Sequence, residues 1–308
     1  MPYHYTPGAP LFQDITQVNT FEFYRFRFHF RAVEPLRFPP GEGANRMRSG
    51  FGAALRETAG AAEYHRLFEP GAARGNSPSG LADWPRPFLL RAAQLDGAAV
   101  PAGDGFFLDV HIFDPANPRL ELLRAALARM AERGIGPGRG KAELARVEQL
   151  DLADGILGHP AIAPSSLGLG PVEGEGACSR LTLQFVTPTE LKWNGFVVER
   201  PEFAILFARL RDRIATLRAL YGAGPLALDF RAEGERAASV RLVRCDLQYR
   251  EAWRRSARTG QVHSLGGFTG LAEYAGELRE FLPWLRAARW VGVGRQTVWG
   301  KGDVRVIP

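Results

Sequence analysis

The order of strands and helices predicts an α+β protein made of two tandem ferredoxin-like (βαββαβ) domains. Alternating hydrophobic residues indicate the strands, and hydrophobic residues three or four positions apart indicate the helices. The second half of the 308 residues repeats the element order of the first half without a close sequence repeat. We expect a first domain over residues 1–156, a Gly- and Pro-rich linker over residues 157–177, and a second domain over residues 178–308.

The first strand shows the clearest pattern. In residues 21–31 aromatic side chains alternate with Arg25, Arg27, His29 and Arg31, so one face should enter a core and the other should form an open basic surface. The remaining elements of the first half are a helix over Ala44–Thr58, strands near Phe88–Arg91 and Gly105–Phe113, a helix with Asn117 as its N-cap that runs to Arg133, and a strand near Ala142–Leu150.

The second half begins and ends with a strand. Its strands are expected near Arg180–Val186, Leu191–Phe196, Leu226–Arg231, Ala238–Tyr249, Gln261–Tyr274 and Thr297–Ile307. Its two helices are expected over Pro201–Tyr221 and Glu277–Ala287. Because an open sheet face in RRM-like units of this kind often carries RNA, the fold class already points towards a nucleic acid.

Composition narrows the class of protein. Apolar content of 45% is ordinary for a globular chain, and the formal net charge is +6. Of the 39 Lys and Arg residues, all but Lys141, Lys192 and Lys301 are arginine. Arginine binds phosphate in a bidentate fork and stacks on bases, but a high-GC genome also enriches arginine, and both explanations stay open.

The basic excess lies in the C-terminal part of the chain. Residues 236–308 contain thirteen Lys or Arg against six Asp or Glu. Such a stripe is either the electrostatic footprint of nucleic-acid binding or a solvated loop. Its densest piece consists of four arginines and one glutamate: Arg250, Glu251, Arg254, Arg255 and Arg258.

Several classes of protein have no support in the sequence. Cys178 and Cys245 are too few for a disulfide framework and lack metal-ligand spacing. The first residues carry no secretory signal pattern, and no run approaches the ~20 apolar residues that span a bilayer. We therefore expect a soluble, cytoplasmic protein that binds no membrane and no metal.

Residues 292–302 (GVGRQTVWGKG) are the most informative stretch. Glycine lets a backbone approach a ligand closely, and Arg295 and Lys301 are cations beside bare N–H groups, which suits a phosphate chain. The stretch is neither a Walker loop nor a dinucleotide fingerprint, and a plain glycine-rich hairpin is the alternative. Its four glycines are Gly292, Gly294, Gly300 and Gly302.

Five parts of the chain, in order, resemble one family. They are RSGFGAAL (48–55) with YHRLFEP (64–70), GIGPGRGKAEL (134–144), the run 185–230 with TPTELKWNG, PEFAILFARLRDRI and YGAGPLALDF, RRSARTGQVHSLGGFTG (254–270), and VGVGRQTVWGKG (291–302). The chain is thereby similar, over most of its length, to the CRISPR-associated endoribonucleases that process repeat RNA, the sixth Cas protein family of the RAMP superfamily. The resemblance implies the same two ferredoxin-like domains.

The resemblance also implies a metal-independent cut in a CRISPR repeat RNA, with no cofactor. The 2′-OH of the RNA attacks the adjacent phosphate, which gives a cyclic-phosphate upstream end and a 5′-OH downstream end. This chemistry needs a base, an acid and cations for the phosphorane charge. The implied partners are repeat RNA or crRNA and other Cas proteins of an effector complex. The alternatives are a non-catalytic RAMP subunit that holds crRNA and an RNA-binding housekeeping protein.

The catalytic residues are harder to assign, because family members often place a histidine in or near the first helix and residues 44–58 contain none. The nearest histidines are His65, with Tyr64 beside it, and His29 on the basic strand face. Either could serve as acid or base, or act only as a loop cap and a solvent-facing strand residue. Arg46 could stabilise the phosphorane without transferring a proton.

RNA binding is expected from the glycine-rich stretch and from cations elsewhere. Trp193 and Trp299 should either stack on bases or lie in the core, and His111, inside an apolar strand, should be a satisfied core residue. The predicted RNA-binding residues are Arg48, Lys192, Arg254, Arg255, Arg258, His263, Gly292, Gly294, Arg295, Gly300, Lys301 and Gly302.

Overall fold

A computed structural model of the chain describes residues 19–70, 84–158, 163–171, 174, 176–255 and 262–307. For residues 254, 255 and 262–264 it describes the main chain alone.

The first half is an antiparallel sheet with helices packed on one face. Its elements are β1 (Thr20–Ala32), β2 (Leu36–Arg37), α1 (Gly43–Thr58), α2 (Ala61–Phe68), β3 (Phe88–Arg91), β4 (Ala99–Val100), β5 (Gly105–Ile112), α3 (Leu120–Arg133) and β6 (Ala142–Gln149). The main sheet has the order β3-β5-β1-β6, and β2 pairs with β4 outside it.

The alternation predicted for β1 is confirmed. Phe26, Phe28 and Phe30 are buried and belong to one hydrophobic core with Met47 and Phe51 of α1. Residues two apart on a strand point to the same face, so one face of β1 packs beneath the helices.

The opposite face of β1 is charged, as expected, but the prediction of an open basic surface is wrong. Arg27 forms a bidentate salt bridge with Asp109 of β5, at 2.7 and 2.8 Å. His29 lies 2.6 Å from Glu148 of β6. Arg25 is buried. The residues of this face that come from β1 are all basic, but carboxylates on the neighbouring strands neutralise their charge.

The second half contains a second sheet of the same topology. Its elements are β7 (Ser165–Gly168), β8 (Arg180–Thr189), β9 (Lys192–Trp193), β10 (Phe196–Val197), α4 (Phe203–Tyr221), α5 (Phe230–Ala238), β11 (Arg241–Arg250), β12 (Trp253–Arg255), β13 (Val262–Ser264), β14 (Gly267–Ala275), α6 (Leu282–Val291) and β15 (Val304–Ile307). The sheet order is β11-β14-β8-β15. In both sheets the strands lie in the order second, third, first, fourth, which confirms the fold class.

The residues assigned to the linker include a strand. β7 pairs antiparallel with Thr20–Phe23, the first residues of β1, and so extends the first sheet along the edge where β6 also pairs.

One predicted strand and one predicted helix N-cap are wrong. In each case an aspartate side chain accepts hydrogen bonds from main-chain amides and changes where the helix begins. Leu226–Arg231 is not a strand: Asp229 accepts bonds from the Arg231 and Ala232 amides at 3.1 and 3.0 Å and starts α5 at Phe230. Asn117 is not the N-cap of α3. Its amide instead donates to the Asp114 carboxylate at 3.1 Å, and the helix begins at Leu120.

Two expected strands are shorter than predicted, because residues with positive φ interrupt them. Leu191–Phe196 is the two-residue hairpin β9–β10, with Asn194 and Gly195 at φ 49° and 86°. Within Thr297–Ile307, residues 297–299 form a 3₁₀ turn, and only β15 is a strand.

The two halves share a hydrophobic core. Phe23 of β1 and Phe113 belong to the same buried cluster as Leu206 of α4 and Trp290 of α6, and the rings of Phe23 and Trp290 are 6.1 Å apart. Burial of aromatic rings across this boundary holds the halves in one arrangement. Within the described part of the chain, none of the helices has both the length and the apolar character needed to cross a membrane.

Candidate functional site

Residues 292–302, the glycine-rich segment, leave the carboxyl end of α6 and return into β15. The Val293 amide donates to the Gly302 carbonyl at 2.9 Å, which closes the neck of the segment. The Arg295 amide donates to the Glu190 carbonyl at 3.0 Å, so the chain just after β8 holds the segment from the side. The segment is therefore a closed loop with a defined position.

The glycines allow the segment to pack closely against the protein itself. A Cβ on Gly300 would overlap the side chain of Ala44 in α1, and a Cβ on Gly302 would overlap the Val293 main chain. The sequence predicted a close approach of this backbone to a ligand; the close approaches that Gly300 and Gly302 make here are to α1 and to the neck of the segment. All four have positive φ: Gly292 73°, Gly294 81°, Gly300 78° and Gly302 71°.

The contact between α1 and the glycine-rich segment borders a cleft of about 540 Å³, here named the α1–loop cleft. Its walls come from both halves of the chain, because α1 belongs to the first half and β8 and β11 belong to the second. The polar residues and aromatic ring that line it include Asn45, Asp96, Thr187, Arg250, Trp299 and Lys301.

Lys301 is the buried cation of the cleft. It is only 7% exposed, and burial lowers the pKa of its ammonium group, with Asp96 opposing the shift. A cation in such a place interacts more strongly with an anion than a surface lysine does, because less water screens the charge. The position suits one oxygen of a phosphodiester.

The amino end of α1 reaches the same cleft through Ala44 and Asn45. The positive end of a helix dipole and its unpaired N–H groups attract anions. Asp96 accepts a bond from the Gly43 amide at 3.3 Å, and it is one of two carboxylates in the cleft wall, with Glu251. Helix end, lysine and carboxylate together supply anion binding and proton transfer in one place.

Two exposed aromatic residues stand close in the chain to a residue of the cleft wall, at the end of β11 and the start of β12. Arg250, the last residue of β11, forms part of the cleft wall. Tyr249 and Trp253, on either side of it in the chain, are 55% and 61% exposed. Aromatic rings next to a cation are the arrangement on which unpaired bases stack.

The predicted basic stripe continues from this point as a hairpin. β12 pairs with β13, with Arg254 opposite His263 and Arg255 opposite Val262. Arg258 lies outside the described residues. The main-chain placement brings Arg254, Arg255 and His263 together, directly after the residues that form the cleft wall.

The predicted catalytic residues do not meet in one place, since they lie on β1, α1 and α2. The two histidines and the arginine among them each face a carboxylate of their own. The pairs are His29–Glu148 at 2.6 Å, His65–Glu69 at 3.3 Å and Arg46–Glu42 at 2.5 Å.

His65 and Tyr64 lie on another surface. His65 lines a separate cavity of about 660 Å³, and the buried Tyr64 hydroxyl accepts a bond from Arg56 at 3.0 Å. The charged pair in that cavity, Arg66 with Asp114, is 2.7 Å apart. Among the described residues no group of His, Cys, Asp and Glu side chains is arranged to hold a metal ion.

Arg48 has a packing role that its charge did not indicate. Its guanidinium lies 4.2 Å from the ring centre of Phe68 and 3.5 Å from that of Trp299. It therefore joins α2 and the glycine-rich segment to α1 from a buried position. Trp299 is buried in this contact.

The other two predicted cations, Arg295 and Lys192, lie near the residues that directly follow β8. Arg295 pairs with the Glu190 carboxylate, and Lys192 lies on β9 beside the exposed Trp193.

Sequence reasoning omitted Asn45, Asp96, Arg250, Tyr249 and Trp253 from the site. The start of the first predicted helix was a signal for Asn45, and the basic stripe was a signal for Arg250 and its neighbours. Asp96 had no signal. It lies in a turn between β3 and β4, which is far from α1 in sequence, and only the fold brings it to the amino end of that helix.

Comparison with known proteins identifies relatives by family and by fold. A family model described as the CRISPR-associated endoribonuclease Cas6 matches residues 183–304, and a model described as an N-terminal domain matches residues 21–165. No curated protein matches this sequence.

Three solved structures have a similar fold. A Cas6 product complex has a TM-score of 0.57 at 18% identity, covering 92% of this chain and 100% of that chain. Thermus thermophilus Cas6 has a TM-score of 0.55 at 17% identity, covering 93% and 98%. A partial Cas6-RT-Cas1–Cas2 complex has a TM-score of 0.56 at 11% identity, covering 94% of this chain and 47% of that chain. Residues 183–304 thus match the CRISPR-associated endoribonuclease Cas6 family, and the fold of nearly the whole chain is that of solved Cas6 structures.

Proposed function

We propose that this endoribonuclease binds CRISPR repeat RNA in the α1–loop cleft and cuts it there by internal transesterification. Lys301, a buried cation where α1 meets the glycine-rich segment, is the observation that carries the proposal. The phosphate gains negative charge as it becomes a phosphorane, and a fixed cation in a poorly solvated site stabilises that charge. The product complex among the structural neighbours supports an RNA-cleaving role for the fold.

The reaction joins the 2′ oxygen to phosphorus and breaks the bond from phosphorus to the 5′ oxygen. One proton leaves the 2′ hydroxyl, and one is delivered to the 5′ oxygen, so no water is consumed. Lys301 is placed to stabilise the phosphorane and to protonate the leaving oxygen, and Asp96 is the proton acceptor in the same cleft. Asn45 and the amino end of α1 orient the phosphate.

The residues predicted from sequence remain candidates for the proton transfers. None of His65, His29, Tyr64 and Arg46 is among the residues that line the α1–loop cleft. A bound RNA that reached one of these residues would bring it into the reaction, and single substitutions test this point.

The proposed partners and organisation follow the family. Repeat RNA is the proposed substrate, and other Cas proteins are proposed as further partners, because a structural neighbour is a Cas6-RT-Cas1–Cas2 complex. The proposed domains are residues 1–156 and 178–308, in agreement with the separate matches over residues 21–165 and 183–304. We propose that the protein acts in the cytoplasm, where its RNA is transcribed.

Purified protein incubated with a repeat RNA in EDTA tests the function. We expect two products, an upstream fragment with a 2′,3′-cyclic phosphate and a downstream fragment with a 5′-OH. Mass spectrometry of both fragments identifies these ends. Products with a 5′-phosphate, or cleavage that stops in EDTA, would contradict the mechanism.

The same experiment tests the alternative of a non-catalytic RAMP subunit. Tight binding of repeat RNA without any product would support that alternative. The match to an endoribonuclease family does not favour it.

A further inference from the structure

The carboxyl end of α6 lies in the protein interior, directly before the glycine-rich segment. The Ala288 carbonyl accepts the Gly292 amide at 2.9 Å, but the next three carbonyls have no partner inside the helix. The following amides of Val293 and Arg295 bond elsewhere, to the Gly302 and Glu190 carbonyls. Buried carbonyls without a bond are costly, so side chains must satisfy these three.

Three side chains from three different elements do so. Arg91 at the end of β3 donates to the Arg289 carbonyl at 2.9 Å. His111 of β5 lies with its Nδ1 2.8 Å from the Trp290 carbonyl, and Arg213 of α4 donates to the Val291 carbonyl at 2.6 Å. Two of the three come from the first half of the chain. Consecutive carbonyls of one helix are thus held by both halves.

Charge and burial agree with this arrangement. Cations at the carboxyl end of a helix are favoured by its dipole. Burial lowers the pKa of Arg213 to about 9, with repulsion from Arg91 as the second cause, and it is still a cation at neutral pH. Burial lowers the pKa of His111 well below 6.5, so this core histidine is a neutral donor through Nδ1–H, as a satisfied core residue should be.

Arg91 also reaches the far end of the glycine-rich segment. Its second nitrogen, Nη1, lies 3.4 Å from the Lys301 carbonyl and donates to it. Since the Val293 and Gly302 main chains are bonded to each other, one arginine of the first half spans both ends of the closed loop. We propose that Arg91, His111 and Arg213 are positioning residues for cleavage, which hold α6 and thereby the place of Lys301 beside α1.

This inference rests on the proposed function, because it assigns these residues a role in the same reaction. Arg91→Met and His111→Leu keep the volume of the side chain but remove the bond to α6. Their single-turnover cleavage rate should fall roughly 10- to 100-fold, because a small misplacement of a catalytic group is costly. Their affinity for repeat RNA should stay within about threefold of the wild type, because none of the three side chains lines the α1–loop cleft.

A second readout does not depend on activity. Amide hydrogen exchange at Val293, whose N–H closes the neck of the loop, should become at least about tenfold faster in Arg91→Met, because the neck opens more often. If these residues contributed only to overall stability, hydrogen exchange would become faster throughout the protein. The cleavage rate per folded molecule would then stay unchanged.

Arg209→Met is the matched control. Arg209 lies on α4 one turn before Arg213, and its guanidinium pairs with the Asp212 carboxylate at 3.0 Å instead of an α6 carbonyl. This variant should match the wild type in rate and in exchange. His111→Gln, which retains an N–H donor, should recover most of the lost rate.

The outcomes separate the two proposals. Wild-type protein that makes no cyclic-phosphate product would contradict the proposed function. Active wild-type protein, with the Arg91 and His111 variants equally active per folded molecule, would overturn the positioning role alone. If Arg91→Met does not fold, Arg91→Lys serves in its place, because a lysine cannot span two carbonyls as the planar guanidinium does. Full activity and unchanged exchange in that variant would also overturn the inference.

Discussion

At the scale of single residues, Lys301 differs from most of the arginines with described side chains. Most of the arginines with described side chains face a carboxylate, as Arg27 faces Asp109 and Arg295 faces Glu190. Lys301 instead lies buried in a cleft with Asp96 as an attracting charge. An ion pair within the protein neutralises an arginine, whereas a lysine at a cleft wall can bind an anion from solution.

Replacement of Lys301 tests its role directly. Lys301→Ala should lower the single-turnover cleavage rate about 100-fold or more, because it removes a transition-state charge contact. Affinity for repeat RNA should change much less. Quantified product in the first turnover, with binding measured separately, distinguishes these effects. Lys141→Ala, which removes an exposed lysine that does not line the cleft, is the control and should retain the rate.

The pH dependence of cleavage gives a second test of Lys301. Because burial places its pKa below the ordinary 10.5, the group loses its positive charge as the pH rises through a value lower than 10.5. We expect the cleavage rate of the wild type to fall on this alkaline side. Lys301→Arg should move the fall to higher pH, because a guanidinium keeps its proton. An alkaline limb that is the same in both proteins would exclude Lys301 as the titrating group.

At the scale of elements, the contact between α1 and the glycine-rich segment forms the cleft. Gly300→Ala should reduce both stability and cleavage, because the new methyl group meets Ala44 and the residue has a φ of 78°. Strain of this kind costs about 1–3 kcal/mol in unfolding free energy. Urea denaturation and single-turnover cleavage measure the two effects.

Gly103→Ala separates the two causes. Gly103 has a φ of 92°, but open space surrounds the position of its missing Cβ. This variant should show the backbone strain without the clash, and its cleavage rate should equal that of the wild type. Equal losses of cleavage in both variants would show that the contact with α1 is unimportant.

The elements themselves show which sequence signals are reliable. The helix predicted at Ala44–Thr58 is α1, and the alternation in β1 predicted its buried face, because both patterns extend over many residues. The short signals were less reliable. Asn117 looked like an N-cap by residue type, but an N-cap is defined by the hydrogen bonds around it, and here Asp114 takes the Asn117 amide.

At the scale of the whole molecule, a charged network lies between the two sheets. The Arg305 guanidinium donates two hydrogen bonds to the Asp303 carboxylate, at 3.1 and 2.9 Å, in a bidentate salt bridge. Burial by itself would raise the pKa of Asp303, but Arg91 and Arg305 outweigh it and hold the pKa below the ordinary 3.8. The ionised carboxylate therefore stabilises the folded state.

Acid should weaken this network. A group with a lowered folded pKa contributes fully above 3.8, and the contribution is lost as the pH falls below that value. Asp303→Asn should lower the free energy of unfolding by roughly 2 kcal/mol at pH 7, and its difference from the wild type should shrink towards pH 3. Urea denaturation at several pH values measures the difference.

Asp246→Asn is the control for this experiment. Asp246 pairs with Arg244 at 2.6 Å, but both side chains are largely exposed. Its loss should cost less than about 1 kcal/mol, with little change between pH 7 and pH 4. If the two variants behaved alike, the buried network would have no special role in stability.

The sequence by itself determined the two βαββαβ units, the long helices, the buried face of β1 and the glycine-rich segment, because these depend on patterns within one stretch of chain. Only the tertiary structure decided what that segment touches, since Ala44, Asp96 and Lys301 come from distant positions. It also decided which cations have carboxylate partners, because those partners lie on neighbouring strands. Contacts between remote residues depend on sheet order and packing, and no local pattern of residue types encodes them.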